Sequence, residues 1–419
     1  MTDVPIEGRA PVFGWWKAAP RSAKKALVAA SLGWMLDSFD VMLYSLVLAS
    51  LMHDLNLSKG TAGILGSITL LAAAAGGLFF GAIADRFGRT RALMASVLIY
   101  AVFTAACGLA QNFVQLAVFR ILLGLGMGGE WASGASLVSE TWPAEHRGKA
   151  LGFMQSSWAI GYALAAFVAA VVMPLGGWRT VFFVGILPAF LTLWIRRSVD
   201  EPEVWKKTRD TAASTFSGFA EIFRGKLLPL TVVLILMNAC CLFAWWGFNL
   251  WVPAYLSLPT SQGGIGLTSS AMSVVVIVMQ VGMWFGYVTF GFVSDAIGRK
   301  RTYVTYLLIA SLLLLLYGAT RAPLALLLLG PLVAFFGTGY FTGFAAVTAE
   351  IYETRIRSTA QGFTYNAGRV ASAIAPFTVG SLAQKQGFGA AFTVGALSFL
   401  LAAFFWIWIP ETKGRILAE

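Results

Sequence analysis

Read in windows of about 20 residues, the length that crosses roughly 30 Å of hydrocarbon at 1.5 Å per residue, the chain resolves into apolar blocks divided by short polar breaks. The blocks fall at residues 25–52, 61–84, 90–110, 113–138, 148–173, 177–195, 227–256, 266–293, 301–319, 323–347, 357–384 and 388–409. They predict an all-α membrane protein with twelve transmembrane helices. The first block is too long for the core of a secretory signal and carries Asp37 and Asp40. No small-residue cleavage site follows it, so it is expected to stay in the mature protein.

Composition agrees with this pattern: 58% of residues are hydrophobic and 12% charged, with a mean hydropathy of +0.76, far above ordinary soluble chains. The net charge of +11 does not indicate nucleic acid, because the cations sit in alternate loops rather than in one patch. With both termini inside, 24 of the 30 Lys and Arg fall on the cytoplasmic side. Lys59, Arg179, Arg321 and Lys385 fall outside, and Arg120 and Arg369 lie within spans. This bias predicts a multi-pass protein of the inner or plasma membrane with cytoplasmic termini. Cys107, Cys240 and Cys241 lie in apolar spans without metal-ligand spacing, and His53 and His146 are far apart. Metal binding and nucleophilic catalysis therefore have little raw material, and neither an enzyme nor a cofactor is expected.

An internal repeat sets the domain plan. Gly81, Asp85, Gly88, Arg89 and Arg91 recur 210 residues later as Gly291, Asp295, Gly298, Arg299 and Arg301. The same offset relates Glu140 to Glu350, Arg147 to Arg357, Gly152 to Gly362, Phe153 to Phe363 and Glu201 to Glu411. Two pseudo-symmetric six-span units are expected, at 25–195 and 227–409, enclosing a central site. Residues 1–24 form a cytoplasmic N-terminal segment, 196–226 a basic cytoplasmic linker and 410–419 a cytoplasmic tail.

The segment Gly81-Ala-Ile-Ala-Asp85-Arg86-Phe-Gly88-Arg89-Thr-Arg91, between the second and third spans, resembles the signature loop of the major facilitator superfamily. Arg120-Ile-Leu-Leu-Gly124-Leu-Gly126-Met-Gly128 resembles a second motif of that family, and Pro410-Glu-Thr-Lys-Gly414 a tail found in sugar and metabolite symporters. Leu36-Asp37-Ser-Phe-Asp40, Val138-Ser-Glu140-Thr-Trp142-Pro143 and the run from Gly177 to Trp205 resemble proton-coupled organic-acid carriers, in the sialate, lactate and aromatic-acid branches. The resemblance implies alternating access and symport. The fifth span lacks the Gly-Pro pair of drug antiporters, which argues against efflux.

Charged groups inside spans cost about 2.5 to 3.5 kcal/mol each at mid-helix on insertion scales, so each needs a partner or a purpose. Here they are Asp37, Asp40, Arg120, Glu130 and Arg369. The positions answering to the first four across the repeat are Gly247, Leu250, Gly330 and Tyr340, and Arg369 answers to Ala159. The scaffold repeats while the buried charges do not, which favours function over architecture.

Asp40 lies about 22 Å from the inner end of span one and Arg120 about 10 Å from the outer end of span four, at similar depth. Asp37, Asp40, Arg120 and Glu130 are therefore candidates for proton coupling, with the two aspartates competing for Arg120. Arg369, about 18 Å into span eleven, is the candidate carboxylate anchor, since its fork binds a carboxylate through two hydrogen bonds. Asn366, Tyr365, Tyr44, Gln155, Asn249 and Gln280 are candidates to line the cavity, as are the aromatics Trp245, Trp246, Phe248 and Trp251. Asp85, Arg89, Glu140, Asp295, Arg299 and Glu350 are candidate conformational latches.

The expected function is proton-coupled symport of a small organic anion, by a monomer in the lipid bilayer. A sugar or polyol symporter, an exporter and a non-transporting solute sensor stay open as alternatives.

Overall fold

The computed structural model describes residues 16–17, 19–201, 222–225, 227–353 and 356–413. The expected N-terminal segment, linker and tail therefore fall largely outside the described residues. Apolar sequence without competing side-chain polarity leaves the backbone to satisfy itself, and helices result. They are α1 (Arg21–Asp54), α2 (Lys59–Phe87), α3 (Arg89–Cys107), α4 (Phe113–Thr141), α5 (Ala144–Val184), α6 (Ala189–Ser198) and α7 (Leu227–Ser257), followed by α8 (Ser269–Ile297), α9 (Arg299–Ala319), α10 (Pro323–Thr338), α11 (Tyr340–Ile351), α12 (Arg357–Ser372) and α13 (Ala375–Phe405). Among the described residues, ten helical segments are long and apolar enough to cross a membrane. Leu78, Phe292 and Leu324 are about 70% exposed on the perimeter, as side chains facing hydrocarbon must be.

The breaks differ in places from the expected spans. Helix continues from the fifth expected span into the sixth, with a kink at Gly177 (φ 69°), and the same happens at Gly387 (φ 85°), 210 residues on. Span ten divides at Gly339 and span eleven between Ser372 and Ala375. Pro376, which lacks an N–H and crowds the preceding turn, accounts for the second division. Ser58, Asn112 and Thr268 cap α2, α4 and α8 by accepting a backbone N–H at 3.0 to 3.3 Å, as N-cap side chains do.

The repeated turns, α2 to α3 and α8 to α9, pass through Gly88 (φ 115°) and Gly298 (φ 107°). A side chain there would be strained, and it would also strike the carboxylates of Glu201 and Glu411. We call the side of the bundle carrying these Gly-Arg turns the basic face, and the other the far face.

The elements before residue 201 pack on one another, with α4 against α2 and α3, and α1 against α5. Gly124 and Gly128 make the α2 contact possible, because a Cβ at Gly128 would overlap the Ala73 carbonyl. The elements after 226 pack likewise, α7 and α9 on α13 and α8 on α10. The two sets meet where α5 crosses α8, α2 crosses α13 and α1 crosses α7. Hydrogen bonds seal this junction: Ser45 donates to the Leu250 carbonyl at 2.7 Å, Lys59 to the Gln262 carbonyl at 2.6 Å, and the Gly60 N–H to Gln384 Oε1 at 3.2 Å. These contacts lie toward the far face.

Candidate functional site

Where the two sets meet, aromatic side chains enclose a small cavity. Trp34 comes from α1, Gln155 and Trp158 from α5, Trp245 and Trp246 from α7, and Tyr365 and Arg369 from α12, with Met127, Tyr287 and Phe341 completing the wall. The rings pack on one another: Trp158 stands 4.7 Å from Trp34, tilted against it, and meets Trp245 edge-on at 5.7 Å, centroid to centroid, while Trp245 meets Phe341 edge-on at 5.5 Å. The free volume is about 20 Å³, room for about one water molecule.

Arg369 is 4% exposed. Its guanidinium makes no hydrogen bond or ion pair among the described residues, although it lines the cavity. The indole N–H groups of Trp34, Trp158 and Trp245 are also buried with no acceptor among the described residues. The wall thus carries hydrogen-bond donors and a positive charge on an otherwise apolar surface, which suits a ligand rich in acceptors.

Of the residues singled out in the sequence, Arg369, Tyr365, Gln155, Trp245 and Trp246 line this cavity. Asn366, Tyr44, Asn249 and Gln280 do not. Asn366 donates to the Gly362 carbonyl at 2.9 Å, Asn249 to that of Trp245 at 3.1 Å, and Gln280 to that of Val276 at 3.4 Å. Each bonds back one turn along its own helix. The Tyr44 hydroxyl donates to the Ala62 carbonyl at 2.7 Å, tying α1 to α2. Phe248 and Trp251 pack among Tyr317, Phe392 and Phe388. Trp34, Met127, Trp158, Tyr287 and Phe341 are not among the cavity candidates that the sequence offers. Two had a usable signal, since Trp34 lies three residues before Asp37 and Trp158 three after Gln155, on shared helix faces.

A second group lies beside the cavity, between α1, α3 and α4. Asp37, Asp40 and Glu130 are fully buried; among the described residues the oxygens of Asp37 and Glu130 have no hydrogen-bond partner, and the Thr104 hydroxyl stands beside Asp40. Asp37 is within electrostatic reach of Arg369 and of Glu130. Glu130 presses on α1 at Gly33, where an added Cβ would lie 2.5 Å from its Oε1.

The expected pairing of these aspartates with Arg120 is not made. Arg120 instead donates through Nε to Thr69 Oγ1 at 2.9 Å and stacks 3.7 Å from the centroid of the Tyr44 ring. Tyr44 is one turn beyond Asp40, so similar depth did not bring the arginine to the aspartate, and its rotation about α4 aims it at α2.

On the basic face, Arg89 meets Glu140 at 2.9 Å and Arg299 meets Glu350 at 2.9 Å. Arg299 also contacts Asp295 and donates to Ser294 Oγ at 2.8 Å. The Asp85 side chain lies outside the described residues. Both ion pairs join elements on one side of the junction, α3 to α4 and α9 to α11. One further carboxylate completes each turn, at positions to which the sequence assigns no role. Glu201 accepts the N–H groups of Thr90 and Arg91 at 3.1 Å, and Glu411 those of Arg299 and Lys300 at 2.8 and 3.2 Å. Each therefore caps a helix N-terminus, where the dipole favours an anion. Burial raises the Glu411 pKa, but the N–H groups of Lys413, Arg299, Lys300 and Thr412 outweigh it and hold the carboxyl below its usual range.

On the far face, Ser50, His53, Asp54, Lys59, Gln262 and Gln384 border a vestibule of about 710 Å³. The hydrogen bonds that close the far side of the junction run past it.

Comparison with known proteins places this architecture. A putative metabolite transport protein of Haemophilus influenzae is 34% identical over 97% of this chain and 98% of its own length. A cis,cis-muconate transport protein of Acinetobacter baylyi is 34% identical over 93% and 95%. The inward-open structure of the Escherichia coli xylose transporter superposes with a TM-score of 0.76, at 21% identity, over 94% of this chain and 98% of that one. The sequence profile described as Major Facilitator Superfamily matches residues 30–286 and 256–418. The chain belongs to the Major Facilitator Superfamily of multi-pass membrane transporters, and it is not an enzyme.

Proposed function

We propose that the chain is a proton-coupled symporter of small, flat organic anions, working by alternating access. The observation that carries this reading is Arg369, a buried cation that makes no hydrogen bond or ion pair among the described residues, set in a cavity walled by aromatic rings. A bidentate carboxylate satisfies it, and ring faces suit a conjugated or aromatic body. A polyhydroxylated acid fits less well, because its hydroxyls need acceptors that the wall hardly offers. The cis,cis-muconate carried by the Acinetobacter baylyi relative, as its name states, has the favoured chemistry.

The continuous helices kinked at Gly177 and Gly387 each count as two crossings, which supports twelve helices in two six-helix units, 25–195 and 227–409. The cations of the basic face support a cytoplasmic position for it and for both termini, in a cell membrane. On that reading the junction is closed toward the outside. Asp37 and Asp40 carry the transported proton with Glu130, while Arg120 holds α4 to α2. Arg89 with Glu140, and Arg299 with Glu350, steady the basic face between states with Asp85 and Asp295. The carrier works as a monomer.

The test is uptake of a carboxylate panel into proteoliposomes under an inward proton gradient, with Arg369→Lys alongside. Gradient-driven accumulation of a flat carboxylate, with affinity lowered about tenfold or more by the loss of the bidentate fork, is expected. Accumulation of neutral solutes instead, or unchanged affinity in the variant, contradicts the proposal.

A further inference from the structure

An indole carries one hydrogen-bond donor and no acceptor, and a buried tryptophan ordinarily finds a partner for it. Outside the cavity this chain follows that rule at three places: Trp142 donates to the Ala23 carbonyl at 2.8 Å, Trp178 to Asp54 Oδ2 at 2.7 Å and Trp251 to the Pro376 carbonyl at 2.9 Å. Four buried indole N–H groups have no acceptor among the described residues. Trp406, packed on Tyr303 at 4.5 Å, is one of them. The other three, Trp34, Trp158 and Trp245, all line the cavity, and each is 5% exposed or less.

These three donors form one group, because Trp158 packs on both of the others, at 4.7 Å from Trp34 and 5.7 Å from Trp245. A buried donor left without an acceptor is costly, and contacts between ring edges and ring faces repay little of that cost. The helices set two of the donors across the junction from the cation. Trp34 lies on α1 and Trp158 on α5, in the first set, whereas Arg369 lies on α12, in the second. Gln155, three residues before Trp158 on α5, adds an amide to the same wall, with one acceptor oxygen and two N–H donors. Donors therefore outnumber acceptors in the wall, and they stand at two places: the guanidinium and the indole group.

We infer that the cargo is two-ended: besides the carboxylate held by Arg369 it carries a carbonyl-type acceptor, the oxygen of a ketone, ester or second carboxyl group, which receives the indole N–H groups of Trp34, Trp158 and Trp245. This rests on the anion-carrier reading above and narrows it. An apolar second end leaves the indole donors buried and unmet, and a hydroxyl there brings one more donor, whereas a C=O brings two lone pairs and no hydrogen. Bound by both ends, the cargo joins the two sets of helices through its own body and favours the state in which both ends are held.

The experiment is isothermal titration calorimetry of the full chain in detergent with two acids of matching shape, 4-acetylbenzoate and 4-isopropenylbenzoate, the second of which has a methylene group in place of the ketone oxygen. Wild type is expected to bind 4-acetylbenzoate at least about tenfold more tightly. In Trp158→Phe the gap should narrow to about twofold through weaker binding of 4-acetylbenzoate, with 4-isopropenylbenzoate unchanged, and Trp34→Phe should act in the same direction. Equal affinities of the two acids for wild type, a comparison that no misfolded variant can disturb, overturn the two-ended cargo while leaving the anion reading intact. A gap that survives in both variants does the same. Failure of both acids to bind contradicts the anion reading itself.

Discussion

The two copies of the repeat share a frame and divide the chemistry. Gly88 and Gly298, the ion pairs of Arg89 with Glu140 and of Arg299 with Glu350, and the capping carboxylates Glu201 and Glu411 correspond across 210 residues in both sequence and geometry. The interiors do not. The first copy buries the carboxylates Asp37, Asp40 and Glu130, with no ion pair closed on them among the described residues, and Arg120 on Thr69 and Tyr44. The second buries Arg369 alone among its described charged residues, facing the cavity beside Trp245 and Tyr365. A duplicated scaffold can carry unlike functions because the contacts that set helix packing, small residues and capped turns, are separate from the side chains inside.

Removing the charge at Arg369 breaks this division most severely. Arg369→Gln keeps much of the side-chain bulk but leaves a cargo carboxylate without its ion pair, and transport of carboxylates is expected to fall about 100-fold, mostly through KM. Radiolabel uptake at saturating and limiting cargo checks this, and an effect confined to kcat argues against direct contact. Next in size, Trp158→Phe preserves a ring and removes one unpaired indole N–H, with an expected loss of about tenfold in affinity for a carboxylate. Trp251→Phe, a ring outside the cavity, serves as the contrast in the same binding assay and should leave that affinity within about twofold.

The smallest effects belong to the shared frame. Glu411 is held below the usual carboxylate range, so its cap stabilises the fold above the unfolded-state pKa of about 4.3 and loses that contribution as pH falls through the lower folded value. Glu411→Gln should therefore flatten the acid limb of the thermal-stability profile in detergent, by about 1 kcal/mol or less. A variant as acid-sensitive as wild type contradicts the assignment.

Much of the frame was legible in the sequence because it rests on local rules. Blocks of apolar residues gave the helices, and the 210-residue offset gave the paired turns. Arg369 was legible because an uncompensated charge in a span is costly enough to point to a purpose. The partner of Arg120 was not, since depth along a helix is readable from spacing while rotation against neighbouring helices is set by packing. The same limit hid the cavity role of Trp158 and promoted Asn249 and Gln280, whose amides are taken up by their own helices. The break between Ser372 and Ala375 carries a proline signal at Pro376.

The central claim is that cargo bound at Arg369 and a proton bound at Asp37 move together. It is tested most directly by recording proton and cargo fluxes in the same vesicles, for wild type and Asp37→Asn, with a flat carboxylate as cargo and no imposed pH gradient. Cargo-driven alkalinisation of the donor side in wild type, lost in Asp37→Asn while cargo exchange persists, is the predicted result. Cargo flux with no accompanying proton flux in wild type, or proton flux undiminished in Asp37→Asn, would contradict it.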